Sequence, residues 1–415
     1  MPENHNGDVE VMNKIIMRIA VAGALASLAG LALGQDKPAW KQGQPASMEK
    51  SKLAPHPGKN TETPASEIPV SKLKLPKGFK AEIWATGTPG GRAMARGDKG
   101  KIYLGTRGIG RVYEVTDQGG QRTSRVVVDK LTQPAGVAFQ DGSLYVMAID
   151  KVLRFDGIED NPNAQPVDMT DKFDLPPLQH HNWKYIAFGP DKKLYVPFGA
   201  PCNICEPPPE YSQIRRYNAD GSGKEVLARG MRNSLGFDWH PKTGELWFVD
   251  QGRDWMGDKG PQEELNRLSK TGLFFGFPYC HAQGIADRDI KKKDPCKGVT
   301  KPVAVLGPHA AVLGTKFYTG SMFPKSYQNT LFIARKGSWN RSKPFGFDVV
   351  NVKISADGKG AKVTPFMTGF SESKKAYKFW GRPAYILQMP DGALLVSDEQ
   401  NGAIYRVSYE APKKK

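Results

Sequence analysis

The sequence is short of helical periodicity, histidine and cysteine, and each shortage narrows what the chain can be. Apart from a short turn expected at residues 261–268, no stretch repeats its apolar residues at the 3.6-residue helical spacing, which excludes a helix-built fold. Only one apolar run is long, Ile19 to Ala26 with its continuation from Leu28 to Leu33, and it stands near the N-terminus. Of 4 cysteines, Cys202 and Cys205 form a C-x-x-C that Glu206 follows where histidine would be needed, so a c-type haem attachment pattern is missing. Acidic residues are outnumbered, 42 against 59 Lys and Arg, for a formal charge of +17. No zinc-finger spacing or RNP aromatic box accompanies that charge, so it points to an anionic cofactor, substrate or acidic partner protein and away from nucleic acid.

What is abundant is turn formers. With 45 Gly and 32 Pro in 415 residues and 39% hydrophobic content, the chain favours many short strands around a large core. Lys14 and Arg18 precede the N-terminal apolar run, and Ala32 and Gly34 offer a cleavage site, so residues 1–34 read as a cleaved signal peptide that leaves no stable membrane span. A periplasmic or secreted location follows. There, four cysteines are expected to pair locally as Cys202–Cys205 and Cys280–Cys296, with other connectivities and a four-cysteine zinc site as the alternatives. Residues 35–67 are rich in Pro, Lys, Ser, Thr and Glu and predict a flexible lead-in. Folded sequence is expected over 68–410, ahead of a basic tail at 411–415.

The folded part repeats one unit, a turn rich in Asp, Gly, Pro or Asn that leads into a short apolar strand. Its strand centres are Ile102-Tyr103-Leu104, Leu144-Tyr145-Val146, Leu194-Tyr195-Val196, Leu246-Trp247-Phe248, Leu331-Phe332-Ile333 and Leu394-Leu395-Val396. They recur at intervals of roughly 40 to 85 residues, and one propeller blade takes about 40 to 50. The prediction is an all-β, six-bladed β-propeller with loop insertions, the longest insertion holding Cys280 to Cys296; a two-sheet sandwich or tandem β domains are the competing folds.

In a propeller, polar residues next to the blade strands converge on the tunnel mouth. His180 and His181 precede a hairpin that turns at Gly189-Pro190-Asp191, and a neutral imidazole there can take a proton. Arg232-Asn233, Gln251-Gly252-Arg253, Lys336, Arg341 and Arg382 flank other blade strands. Rigid guanidinium forks beside an imidazole suit a flat, anionic ligand.

From about Leu75 to Tyr409 the chain resembles the soluble quinoprotein sugar dehydrogenases, the glucose and sorbosone dehydrogenase family. The resemblance is carried by His181 ahead of Phe188-Gly189-Pro190-Asp191, by Gly230-Met231-Arg232-Asn233, and by Gln251-Gly252 followed by Glu263-Glu264-Leu265-Asn266. Gly337-Ser338-Trp339-Asn340-Arg341, which is nearer to the sorbosone-type branch, and Gly381-Arg382-Pro383 complete it. The resemblance implies pyrroloquinoline quinone (PQQ) with calcium as cofactors. It also implies hydride transfer from a sugar hydroxyl or hydrated aldehyde, and a cytochrome or quinone as electron acceptor. It gives His181 as general base, Arg232 and Asn233 at the quinone, and Arg382 as a cofactor ligand. Either Lys336 or Arg341 fills the other cationic position, Gln133 lies over the site, and the carbonyls of Gly252 and Arg253 face calcium. Two departures matter. Ala200 stands where glucose-oxidising members carry a carboxylate, which leaves His180 and Asn203 as candidates to hold the second nitrogen of His181, and Arg253 stands where they have proline. A calcium-dependent propeller lactonase and a binding propeller without catalysis are the alternatives.

Overall fold

The computed structural model of the chain describes residues 38–178 and 180–412. The expected signal peptide at 1–34 and the residues of the basic tail from 413 on lie outside them. The chain divides into two units, residues 1–42 and 43–415. Of the first, one 3-10 turn at Ala39–Lys41 is described. The second carries the propeller.

Six antiparallel sheets of four strands form the blades, blade three with a fifth strand added. Blade one runs from Gly91–Arg96 to Gln121–Val128, blade two from Gly136–Gln140 to Val167–Asp168, and blade three from Ala187–Phe188 to Glu225–Arg229. Blade four opens at Gly236–Trp239 and ends at Ala304–Pro308, and blade five spans Val312–Phe317 to Ala361–Met367. Blade six is made of Pro383–Gln388, Leu394–Asp398 and Ala403–Tyr409, and Phe79–Ala85 from the other end of the fold supplies its outer strand. That closing strand pairs Phe79 with Tyr409 and Ile83 with Tyr405. The Phe79 ring meets Phe323 and Phe366 of blade five edge-on, at 4.8 and 5.0 Å between centroids.

All six predicted strand centres fall in the second strand of a blade. These strands are covered on both faces by the neighbouring blades, which is why they are continuous apolar runs and do not alternate. Ile102–Thr106, Leu194–Phe198, Leu246–Asp250 and Leu394–Asp398 are buried throughout, whereas the outer strand Gln121–Val128 is largely exposed. Near the axis the first strands approach so closely that a side chain has no room. A Cβ on Gly236 of blade four would stand 1.8 Å from the Leu313 carbonyl oxygen of blade five, and one on Gly314 would stand 2.3 Å from Tyr385 Cα of blade six.

Residues 261–268 depart from expectation. They form no helical turn: Gln262–Leu268 is the third strand of blade four, paired on both sides. Its polar run is partly paired in the interior, Asn266 Nδ2 donating to Glu264 Oε2 at 2.9 Å and Ala311 N to Glu263 Oε1 at 3.1 Å, while Glu263 Oε2 and Asn266 Oδ1 are left without partners. The long insertion is confirmed within blade four. It lends Leu273–Phe274 to blade three and forms a small hairpin of Cys280–His281 with Ile285–Ala286.

Both expected disulfides, Cys202–Cys205 and Cys280–Cys296, are formed, so no cysteine is left to bind zinc. Within the expected flexible lead-in, residues 43–67 carry hydrogen bonds to the blades, with Arg288 Nη2 donating to Gly43 O at 2.9 Å and Thr63 N to Asn401 O at 2.9 Å. No helix among the described residues is long and apolar enough to cross a membrane.

Candidate functional site

In each blade the start of the first strand lies beside the end of the second, as the pairs Gly236 with Val249 and Pro383 with Asp398 illustrate. Residues just before first strands and just after second strands therefore share one rim. His181, Arg232, Asn233, Gln133 and Arg382 stand in the first position, and Arg107, Gln251, Gly252, Lys336 and Glu399 in the second.

Two aspartates at equivalent places build this rim. Asp250, last residue of the second strand of blade four, accepts from Arg232 N at 2.9 Å, Asn233 N at 2.7 Å and Ser234 Oγ at 3.0 Å. Asp398, last residue of the second strand of blade six, accepts from Arg382 N at 2.8 Å, Asn401 Nδ2 at 2.7 Å and Tyr405 OH at 2.7 Å. Each carboxylate pins the backbone from which the rim arginine of its own blade projects.

Arg232 is buried, and all its donors are engaged. Nε donates to Asn203 O at 2.9 Å, and Nη2 to Asn203 Oδ1 at 2.7 Å and Asp254 Oδ2 at 3.0 Å. Nη1 donates to Gly252 O at 2.9 Å and Gln251 O at 3.3 Å. So Asn203 orients Arg232. The His181 ring lies beside the Ala200 main chain, whose own N–H donates to Arg232 O at 2.7 Å. The neighbouring Gly199 has to be small, since a Cβ there would stand 2.3 Å from His181 O. His180 lies against His181 with 3.9 Å between ring centroids, and Trp183 at 5.7 Å. Burial first, then the neighbouring His180 ring and the Arg232 and Arg107 charges, keep His181 well below the usual histidine pKa and therefore neutral. Arg107 stacks on Trp183 at 3.7 Å, and its Nε reaches Gln133 Oε1 at 3.4 Å.

Across the rim, the buried carboxylate of Glu399 gathers three cations: Arg92, Lys336 Nζ at 2.9 Å and Arg382 Nη1 at 3.5 Å. Burial opposes its charge, but Arg92, Lys336 and Arg382 together hold it well below the usual carboxylate range. Two guanidinium groups against one carboxylate leave this corner electropositive, while burial and the charges of Arg382 and Arg92 hold the Lys336 amine well below its usual range. Lys336 belongs to the cluster. Arg341, further along the same loop, is engaged elsewhere, its Nε on Lys343 O at 3.2 Å and its guanidinium over Phe345 at 5.0 Å.

Gly252 and Arg253 are placed differently from one another. The Gly252 carbonyl faces the site, where it already holds Arg232. The Arg253 side chain is fully buried and turns to the disulfide-closed excursion, with Nη1 at 2.8 Å from Asp287 Oδ2 and Nη2 at 2.8 Å from Asp289 Oδ2. No cluster of three or more His, Cys, Asp or Glu side chains that could hold a metal ion occurs among the described residues. Of the two carbonyls expected to face calcium, Gly252 and Arg253, that of Gly252 is taken by the Arg232 guanidinium, which would have to move aside for the ion.

Several buried rim atoms have no partner: His180 Nε2, His181 Nδ1, Asn233 Oδ1, Asn340 Nδ2, Arg382 Nε and, from the lead-in, His56 Nε2. Buried polar atoms are rarely left so, and such atoms along one rim mark where a ligand would bond. Glu399, Arg92, Arg107, Asp250 and Asp398 were not singled out in the sequence. The two aspartates had a signal, the same offset after the strand centre in Leu-Trp-Phe-Val-Asp250 and Leu-Leu-Val-Ser-Asp398. The others had none.

Comparison with known proteins bears on this rim. The family described as TrAA12-like matches residues 203–410. A protein of Borreliella burgdorferi without a described function is 34% identical over 361 residues, covering 84% of this chain and 94% of that one. A pyrroloquinoline quinone-dependent pyranose dehydrogenase of Coprinopsis cinerea is 27% identical over 176 residues, 34% of this chain but only 23% of the fungal protein. Among solved structures, the holo PQQ domain of pyranose dehydrogenase from Coprinopsis cinerea superposes with a TM-score of 0.67 at 20% identity, over 81% of this chain and 97% of that domain. At that identity the superposition establishes the shared propeller.

Proposed function

This chain belongs to the TrAA12-like family, and from that premise we propose that it is an oxidoreductase that removes hydride from a sugar hydroxyl or hydrated aldehyde, with PQQ as cofactor. The observation that carries the reading is the rim: an electropositive corner, orphaned polar atoms and a neutral histidine at the strand mouths of blades three to six. A flat, polycarboxylate quinone suits such a site, because fixed guanidinium groups match its carboxylates and the unpartnered Arg382 Nε and Asn340 Nδ2 are free to donate. When bound, the group supplies a two-electron, hydride-accepting centre.

The chain's own residues do the rest. Arg382 and Lys336, backed by Glu399, hold the anionic end, with Asn233 and Gln133 on other sides. Arg232, saturated by protein acceptors, contributes a fixed positive field more than a hydrogen bond. His181, neutral and with Nδ1 unpartnered, takes the hydroxyl proton. Calcium enters the reading only with Arg232 displaced from the Gly252 carbonyl.

The remainder of the proposal concerns place and scope. The N-terminal run at 19–33 and two disulfides support export to the periplasm or beyond, where a cytochrome or quinone takes the electrons. The Gly337 to Arg341 segment favours aldehydes of the sorbosone type among the substrates.

Reconstitution tests the reading. Purified protein is mixed with PQQ, with and without calcium, and dye reduction is followed over a panel of aldoses and osones. Sugar- and PQQ-dependent reduction is expected with at least one; no reduction with any, and no change in quinone absorbance on mixing, overturns it.

A further inference from the structure

On the flank of blade four lies a cavity of about 460 Å³ that the reading above leaves unused. Residues 299–305 and Phe275 form most of its wall, with Glu264 and His281 as its buried ionisable groups and the Cys280–Cys296 disulfide along one side. A gap of about 10 Å³, lined by Arg232, Gln251 and Gly252, shares Glu264, Phe275, Cys280 and His281 with it. Those four residues are therefore a partition with the cavity on one side and the Arg232 corner of the rim on the other.

The volume lies in the range of small-molecule sites. The wall is mainly apolar, with Phe275, Val299 and Pro302 offering surfaces for a flat ring. Glu264 has one oxygen engaged by Asn266 Nδ2 at 2.9 Å. Burial and the Asp250 charge push its carboxyl up to about 8, so at neutral pH it is an acid with a proton to donate. His281 is held at Nε2 by Asp287 Oδ2 at 2.7 Å. An apolar slot ending in a hydrogen-bond donor suits a ring that carries carbonyl oxygens, and charged ligands find little to pair with apart from Lys301 at its edge.

We propose that this cavity binds a benzoquinone-class electron acceptor, its ring against Phe275 and a carbonyl accepting from Glu264, one side-chain layer from the Arg232 corner. The proposal rests on the oxidoreductase reading for its chemistry. The two hydrogens removed from the sugar carbinol, as two electrons and two protons, balance those gained when the quinone leaves as hydroquinone, and no other oxidant is needed. The sugar then enters by the tunnel mouth and the acceptor by the flank, so neither has to leave before the other arrives.

The test uses 2,3-dimethoxy-5-methyl-1,4-benzoquinone with the full chain. Calorimetry should give saturable binding, and Val303→Trp or Thr300→Trp, which fill the cavity from two positions on its wall, should each weaken it at least about tenfold. In reconstituted enzyme both variants should raise the KM for the quinone by a similar factor and leave ferricyanide reduction with the same sugar unchanged. Absence of saturable binding, or unaltered binding in both variants when their melting matches the parent, overturns the cavity assignment even where ferricyanide is reduced normally. Saturable binding that the variants weaken, in a protein that reduces no acceptor with any sugar, overturns the oxidoreductase reading and keeps the site. Tighter binding of a decyl-tailed analogue assigns the acceptor to a membrane pool and equal binding to a soluble one; either supports the cavity.

Discussion

A histidine that is to take a proton has to be neutral with a nitrogen free, and His181 is buried, held well below the usual histidine pKa, and has Nδ1 unpartnered. His181→Ala is expected to keep PQQ affinity and lose turnover by roughly 10²- to 10⁴-fold in a stopped-flow assay, the usual worth of a positioned base. The neighbouring His180 gives a pH signature. Burial, with Arg232 and Arg107, lowers it from 6.5 to about 3. Because the folded value lies below the unfolded one, this group's stability contribution is complete above pH 6.5 and drains away as pH falls toward 3. The melting temperature of the ligand-free protein should therefore drop on acidification from about pH 7 to pH 5, and His180→Gln should flatten that limb; an unchanged slope would show that the imidazole titrates normally. At this scale the sequence displayed the residues that stand at strand mouths, His181, Arg232, Asn233 and Arg382. It concealed Glu399 and Arg92, since a buried ion pair between residues 307 positions apart leaves no local pattern.

At the scale of elements, the second strand of every blade was legible because burial on both faces demands an unbroken apolar run. The third strand of blade four was not, because Gln262–Leu268 carries Gln, two Glu, Asn and Arg and is stabilised by side-chain partners and not by apolar content. The turn that enters a first strand depends on its aspartate. Asp398→Ala would leave Arg382 N, Asn401 Nδ2 and Tyr405 OH short of an acceptor in the interior, each costing on the order of 1–3 kcal/mol when unpaired. A fall in the urea midpoint and weaker PQQ binding are expected together, because the same carboxylate stabilises blade six and aims Arg382. Retained PQQ affinity in a destabilised Asp398→Ala protein would separate the two roles.

For the whole molecule, the formal charge of +17 predicts kinetics more than structure. With a Debye length of about 8 Å at physiological salt, attraction of a distant anion is screened. Reduction of ferricyanide by the reconstituted enzyme should slow steadily as salt is raised, while a neutral dye should be indifferent. Equal salt responses would mean that the surface field does not reach the site of electron exit. The closure of blade six has a consequence for how the protein is made. A ribosome delivers Arg92 long before Glu399, and Phe79–Ala85 waits for Ala403–Tyr409. Until residues 399–409 emerge, the buried guanidinium groups of Arg92 and Arg382 lack their shared counter-charge and the ring has an open seam. Whatever binds among them has to wait for those residues to be made.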